Sequence, residues 1–164
     1  MLLFASCQNK EVEFDNNAKE FFIPFVATLK YSVDACDAIN KTWHDAIWKR
    51  EMPDGSYCSD WQEAVVLTQN DLKNEGIIDS VEVNKDRMLL SFSKLNNPPA
   101  SRKECYEDLH DMVSLVNKLS RMAISPSGSL ASYQENYEQY VNDVVEKSDE
   151  FRMKYSYFFN NEEE

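Results

Sequence analysis

Residues 98–130 read PPASRKECYEDLHDMVSLVNKLSRMAISPSGSL, and this stretch decides the fold. Between Pro99 and Pro126 there is no glycine or proline. Cys105, Leu109, Met112, Val113, Val116, Leu119 and Ala123 recur there at three- and four-residue steps. That spacing puts all seven on one stripe of an amphipathic helix. The ends are punctuated as helix ends are. Pro99 suits the first helical position, where its missing N–H costs nothing, with Asn97 nearby and Glu104 facing the positive end of the dipole. Ser125-Pro126-Ser127-Gly128-Ser129 then breaks the chain, and Ser127 or Ser129 caps the next helix.

Working outward, the same period returns on both sides. Downstream, Leu130, Tyr133, Tyr137, Tyr140, Val141, Val144, Phe151, Tyr155 and Phe158 form a second stripe. Tyr155 and Phe158 are expected to pack, while Tyr157 and Phe159 are left open. Upstream, Phe22, Phe25, Val26, Leu29, Val33, Cys36, Ile39, Trp43 and Ile47 line one side of a long segment. A shorter segment from Asp60 to about Asn74 carries Trp61, Ala64, Val65, Leu67, Thr68 and Leu72. Asp60 and Glu63 there match a capping-box pattern. Ile78, Val81, Met88, Leu89, Phe92 and Leu95 fit a further helix, although Val81-Glu82-Val83 alternates as a strand does. All three glycines and four of the five prolines sit in four breaks, at 52–56, 74–76, 96–99 and 125–129. Pro24 is the exception and is placed in a first helical turn. Short links between long helices make neighbours antiparallel. The fold class is therefore all-α, an antiparallel bundle of about four to five helices.

With 164 residues the chain is one domain and long enough to bury a core without staples. A formal charge of −12, from 17 basic and 29 acidic residues, counts against nucleic acid, whose phosphates demand a surplus of Lys and Arg. The same charge repels anionic headgroups. No apolar run approaches the roughly 20 residues of a membrane-spanning helix. The expected organisation is a signal-like segment and polar tether over residues 1–20, a bundle over 21–159, and an acidic tail over 160–164.

The opening Met1-Leu2-Leu3-Phe4-Ala5-Ser6-Cys7, followed by Gln8-Asn9-Lys10, resembles the end of a bacterial lipoprotein signal peptide. That resemblance implies that Cys7 becomes a lipid anchor, that the protein is extracytoplasmic, and that membrane attachment comes only through Cys7. Six residues precede this cysteine, so the signal would be truncated against the usual 7–15-residue apolar region. Cys36, Cys58 and Cys105 remain. Three thiols cannot all pair internally, and none has the C-x-x-C spacing of a zinc or redox site. A Cys36–Cys58 bridge stays open as an alternative to free, buried thiols.

Three junctions carry a further resemblance. Thr42-Trp43-His44-Asp45-Ala46-Ile47, then Leu95-Asn96-Asn97-Pro98-Pro99, then Ser125-Pro126-Ser127-Gly128-Ser129-Leu130 are similar to W-x-x-A-I, L-x-N-P-P and P-[ST]-G-S-L. Those motifs occur in small helical proteins of gut and other Gram-positive bacteria and their phages, and the likeness spans roughly residues 30–158. A more distant similarity is to phage superinfection-exclusion lipoproteins. It implies a membrane-anchored helical protein that binds another protein, with no individual functional residue carried over.

Catalytic patterns are sparse. Glu107 and His110 have the Glu-x-x-His spacing of di-iron bundles, but such sites need two of these motifs, and His44 has Lys41 where the acid would be. Asp54, Ser56 and Asp60 lack the spacing of a calcium loop. His44, with Asp37 two turns before it, and His110, beside Asp111, are the only candidate general bases. No metal, no cofactor and no enzymatic activity are expected.

The aromatic residues are more informative. Trp48 lies about 140° around the helix from Trp43, on a face shared with Lys41 and His44. The following loop returns Tyr57 and Trp61 to its neighbourhood. Two arrangements are open. Either Trp61 folds over Trp48 as a small satellite core, or Lys41, His44, Trp48, Tyr57 and Trp61 form a partner-binding patch of the aromatic type that dominates protein interfaces. The leading expectation is a lipid-anchored protein-binding module. The alternative is a bundle holding a small apolar or aromatic ligand between the Phe22, Phe25, Leu109 and Tyr137 stripes.

Overall fold

The computed structural model describes the backbone of residues 2–159 and the side chains of residues 9–159. Five α-helices account for most of it: α1 (Leu2–Trp48), α2 (Trp61–Asn74), α3 (Ile77–Ser93), α4 (Lys103–Ile124) and α5 (Leu130–Lys154). Single 3-10 turns cover Ala100–Arg102 and Ser156–Phe158. The architecture is the all-α bundle expected. The Val81-Glu82-Val83 alternation lies within α3, with Val81 and Met88 fully buried on its inner face.

Cross-helix contacts fix the direction of each leg. Arg102 reaches Asp15, and Ser120 reaches Ser32, so α4 runs parallel to α1. Tyr137 meets Asp37 and Phe151 meets Phe22, so α5 returns antiparallel to both. Helices α2 and α3 together make the other returning leg, with Thr68 beside Thr42 and Phe92 beside Phe21. The result is an up-down-up-down bundle whose second leg is broken once. Gly76 makes that break. Its φ of +76° closes α2 and opens α3 in a left-handed turn that L side chains rarely adopt. Asp60 caps α2 by accepting the Gln62 N–H, and Ser129 caps α5 in a reciprocal pair with Ser132.

Helix α1 departs from expectation in three ways. It runs back to Leu2, so the stretch before Phe21 is no tether. Phe14 and Ala18 are core residues, and Asp15 makes a two-pronged ion pair with Arg102 at 2.8 Å on both arms. The packed bundle therefore starts well before residue 21. Pro24 lies inside α1, not in a first turn. An interior proline costs about 3 kcal/mol, because the Glu20 carbonyl loses its donor. Burying Phe14, Phe21 and Phe25, at roughly 1.5–3 kcal/mol each, outweighs it. Finally, the buried ridge is rotated from the expected stripe. It follows Phe14, Ala18, Phe21, Phe25, Thr28, Ser32, Ala35, Cys36, Ile39, Trp43 and Ala46, so Phe25, Cys36, Ile39 and Trp43 of the expected stripe are buried while Val26 stands out in solvent. Small residues set this rotation. Ser32 and Ser120 share a hydrogen bond of 3.0 Å across the α1–α4 contact, and the Thr28 hydroxyl donates to the Pro24 carbonyl at 2.6 Å. The acidic tail, 160–164, and the Cys7 side chain lie outside the described residues.

Cys36, Cys58 and Cys105 are all free and buried, so no Cys36–Cys58 bridge is formed. Burial pushes the Cys36 thiol up from 9.0 to about 11 and that of Cys105 to about 12. Between pH 9 and 11 the unfolded chain releases protons that the native state retains, so stability falls as pH rises through this window. Cys36 alone is expected to remove roughly 2–3 kcal/mol by pH 11. Urea unfolding at pH 8 and pH 11 measures this, with Cys36→Ala flattening the slope. An unchanged midpoint in the native chain would refute the burial.

Candidate functional site

The end of α1 and the loop after it form a well-braced corner. The Lys49 and Glu51 N–H groups both donate to the Asp45 carbonyl, closing the helix. Beyond it, Met52 N–H donates to Ser56 O and Cys58 N–H to Arg50 O, both at 2.8 Å, with Glu51 and Tyr57 bridged antiparallel. Gly55, at φ +83°, makes the tip, and the Ser56 N–H donates to Asp54 Oδ1. Below the loop, Cys58 packs with Ala46 and Ala64, flanked by Met52 and Trp61. The loop is thus pinned by backbone bonds and by a buried side chain.

On this fixed backbone Trp48 is 72% exposed and Tyr57 75% exposed. Lys41 and His44 are also exposed, two turns and one turn before the helix end. Trp61 is different. It turns inward and stacks on Trp43, ring centroids 5.3 Å apart and planes 17° from parallel. The expected patch therefore keeps Lys41, His44, Trp48 and Tyr57 and loses Trp61. A satellite core does exist beneath the loop, but Cys58 rather than Trp48 is what Trp61 covers. Trp43 was within reach of sequence reasoning as a stacking partner, since it shares the buried stripe that α2 must face. Its indole N–H, buried between Trp61 and Tyr133, has no acceptor among the described residues. Sequence reasoning missed Glu51, Met52 and Pro53. With Ala38, Lys41, Thr42 and Asp45 they line a cleft of about 330 Å³ beside the exposed pair.

Asp45 gathers the paired charges of this corner. Asp45 Oδ1 lies 2.8 Å from Lys49 Nζ and 3.1 Å from His44 Nδ1. These two bonds, Lys49 first, hold its carboxyl below the usual range. Among the described residues, neither histidine pairs with a carboxylate from another helix. His44 pairs with its own neighbour, and His110 Nδ1 stands 3.9 Å from Asp111 Oδ1 on the solvent side of α4. Asp37 is engaged elsewhere, accepting from the Tyr137 hydroxyl at 2.6 Å. Glu104 and Asp108 share Lys154, and Asp111 takes Lys147, so α4 and α5 are stitched by ion pairs. Among the described residues no three His, Cys, Asp or Glu side chains converge as metal ligands would.

A second feature lies along the α1–α5 seam. Phe22, Phe25, Val26 and Leu29 face Phe151 and Phe159 across a groove of about 360 Å³, with Met112 at its floor. Ser148 and Arg152 supply its polar edge. Of the stripes expected to enclose a ligand, Phe22 and Phe25 do line this groove. Leu109 is sealed in the core instead, and Tyr137 is tied to Asp37.

Fold and site together define an all-α bundle with a rigid aromatic corner at one end and an apolar groove along one side. Set against known proteins, the chain matches no family model, no curated protein and no solved structure.

Proposed function

We propose that this chain is a lipid-anchored, extracytoplasmic helical module that binds another protein through its Trp48–Tyr57 corner and performs no chemistry of its own. The observation that carries the reading is the exposure of two large aromatic side chains on a backbone held still by hydrogen bonds. Exposed tryptophan and tyrosine with few rotatable bonds lose little entropy on binding, which is why they dominate interface energetics. The cleft between Lys41 and Pro53 offers a pocket for a partner side chain beside them.

The length of α1 gives the anchor a consequence. Cys7 and Trp48 lie on the same helix, 41 residues apart, and at 1.5 Å per residue the separation is at most about 60 Å. An acyl chain on Cys7 would hold one end of the rod at the bilayer and present the aromatic corner far from it. No described helix is long and apolar enough to cross a membrane, so attachment rests on Cys7 in this reading. Exclusion of incoming phage is one specific form that the partner binding would take.

Metabolic labelling with an alkyne fatty acid tests the anchor in a chain expressed with its upstream reading frame. Label is expected on the native chain and absent from Cys7→Ala. A photo-crosslinking amino acid at position 48 tests the corner, with the exposed position 90 as control. One discrete adduct from position 48 and none from 90 is expected, and equal, diffuse adducts would refute a specific patch.

A further inference from the structure

The groove along the α1–α5 seam has a chemistry that the corner does not explain. Its walls are carbon: Phe22, Phe25 and Val26 on one side, Phe151 and Phe159 on the other. Its volume of about 360 Å³ falls within the roughly 300–1,000 Å³ of small-molecule sites, whose pattern is an apolar lining with a few polar groups fixing orientation. The polar groups here are Ser148 and Arg152, one turn apart on α5. The other basic residues of this helix, Lys147 and Lys154, are spent on Asp111, Glu104 and Asp108. Arg152 instead lies over the Phe159 ring, 5.5 Å from its centroid, and among the described residues no carboxylate comes within ion-pair distance of it. Among the described residues that line the groove, Arg152 is the one charged side chain, and its guanidinium has no carboxylate partner among the described residues. Guanidinium binds carboxylate in a planar two-pronged geometry, and an adjacent hydroxyl adds a third donor.

We infer that this groove is a binding site for a small monocarboxylate with an apolar tail, the tail lying between Phe22, Phe25 and Phe151 and the carboxylate meeting Arg152 and Ser148. The site is remote from the Trp48–Tyr57 corner and does not depend on the protein-binding reading.

The three tryptophans lie near the opposite end of the bundle, so the reporter is the Met112 methyl at the groove floor. Titration of the full chain with octanoate, followed by methyl NMR, is expected to shift Met112 while leaving Met88, in the α3 face of the core, unmoved. Arg152→Gln is expected to weaken octanoate about tenfold and to leave 1-octanol unchanged. Val26→Trp, at an exposed position that the core does not use, is expected to fill the groove and abolish the Met112 shift with both probes, with the helical circular dichroism retained. Equal affinity for octanoate and octanol, insensitive to Arg152→Gln, would overturn the assignment, as would a Met112 shift that survives Val26→Trp.

Discussion

Phe21→Ala is expected to lower the unfolding free energy by about 3–5 kcal/mol, as truncating a fully buried aromatic ring does, whereas Val26→Ala is expected to change it by less than about 0.5 kcal/mol. The contrast discriminates because the hydrophobic pattern alone puts Val26 on the inward stripe and leaves Phe21 off it, the reverse of what the structure shows. Phe21 is wholly buried where α1 meets α3, with its ring 5.4 Å from Phe25, 5.5 Å from Phe22 and 5.9 Å from Phe92. Its loss leaves a void that the surrounding helices cannot close, and interiors packed at crystal density tolerate such voids poorly. Val26 is 58% exposed at the lip of the groove and has little to lose. Chemical denaturation of the two variants beside the native chain measures both. Comparable destabilisation by each would mean that α1 is rotated from the position described.

Trp48→Ala and Tyr57→Ala carry the largest expected functional effect. Each is expected to weaken partner binding by about 2 kcal/mol or more, some thirtyfold, the range of interface hot spots. Neither is expected to move the midpoint of thermal unfolding, because both side chains project from backbone that other groups hold. Trp61→Ala is the internal control with the reverse pattern. It removes the ring stacked on Trp43 and the cover over Cys58, so stability falls even if the partner surface is untouched. Binding measured against the crosslinked partner, with unfolding curves on the same preparations, separates the two classes. If Trp48→Ala binds normally while Trp61→Ala does not, the surface lies over α2 instead of the α1 corner.

The legibility of each helix tracks how unambiguous its faces are. Helix α4 carries apolar residues on one side and charges on the other, and all seven residues of its stripe are buried. Along α5 and the turn after it, Tyr133, Tyr137, Val144, Phe151, Tyr155 and Phe158 are buried, while Leu130, Tyr140 and Val141 of the same stripe are half-buried. The breaks at residues 52–56, 74–76, 96–99 and 125–129 fall between helices because glycine and proline there suit turns and not helix interiors. In the candidate corner, the helical period put Trp48 off the buried stripe but left open whether Trp61 covered it, and the Trp43–Trp61 stack decides that it does not.

Helix α1 was the hard case, and the reason is physical. It carries Phe22, Ile23 and Val26 on one flank and Phe21, Phe25, Thr28 and Ser32 on the other, so hydrophobicity does not say which flank meets α4. Close approach decides it. Thr28, Ser32 and Ser120 are small enough to let two backbones come together, and their hydroxyls find partners once there. A residue-by-residue pattern holds no information about that pairing, which is between positions 88 residues apart. The same holds for Pro24, tolerated inside a helix because distant side chains clamp the chain on either side of it, and for the Asp15–Arg102 ion pair that draws the polar N-terminal stretch into the bundle. It holds too for Trp61, whose ring is claimed by Trp43 across α1 and α2. The sequence by itself determined that the chain is helical, where the breaks between helices fall and the inward face of α4, because those arise from local periodicity and turn chemistry. Only the tertiary structure decided how α1 is rotated, which aromatic rings remain in water and where the groove opens, because those depend on which surfaces fit together.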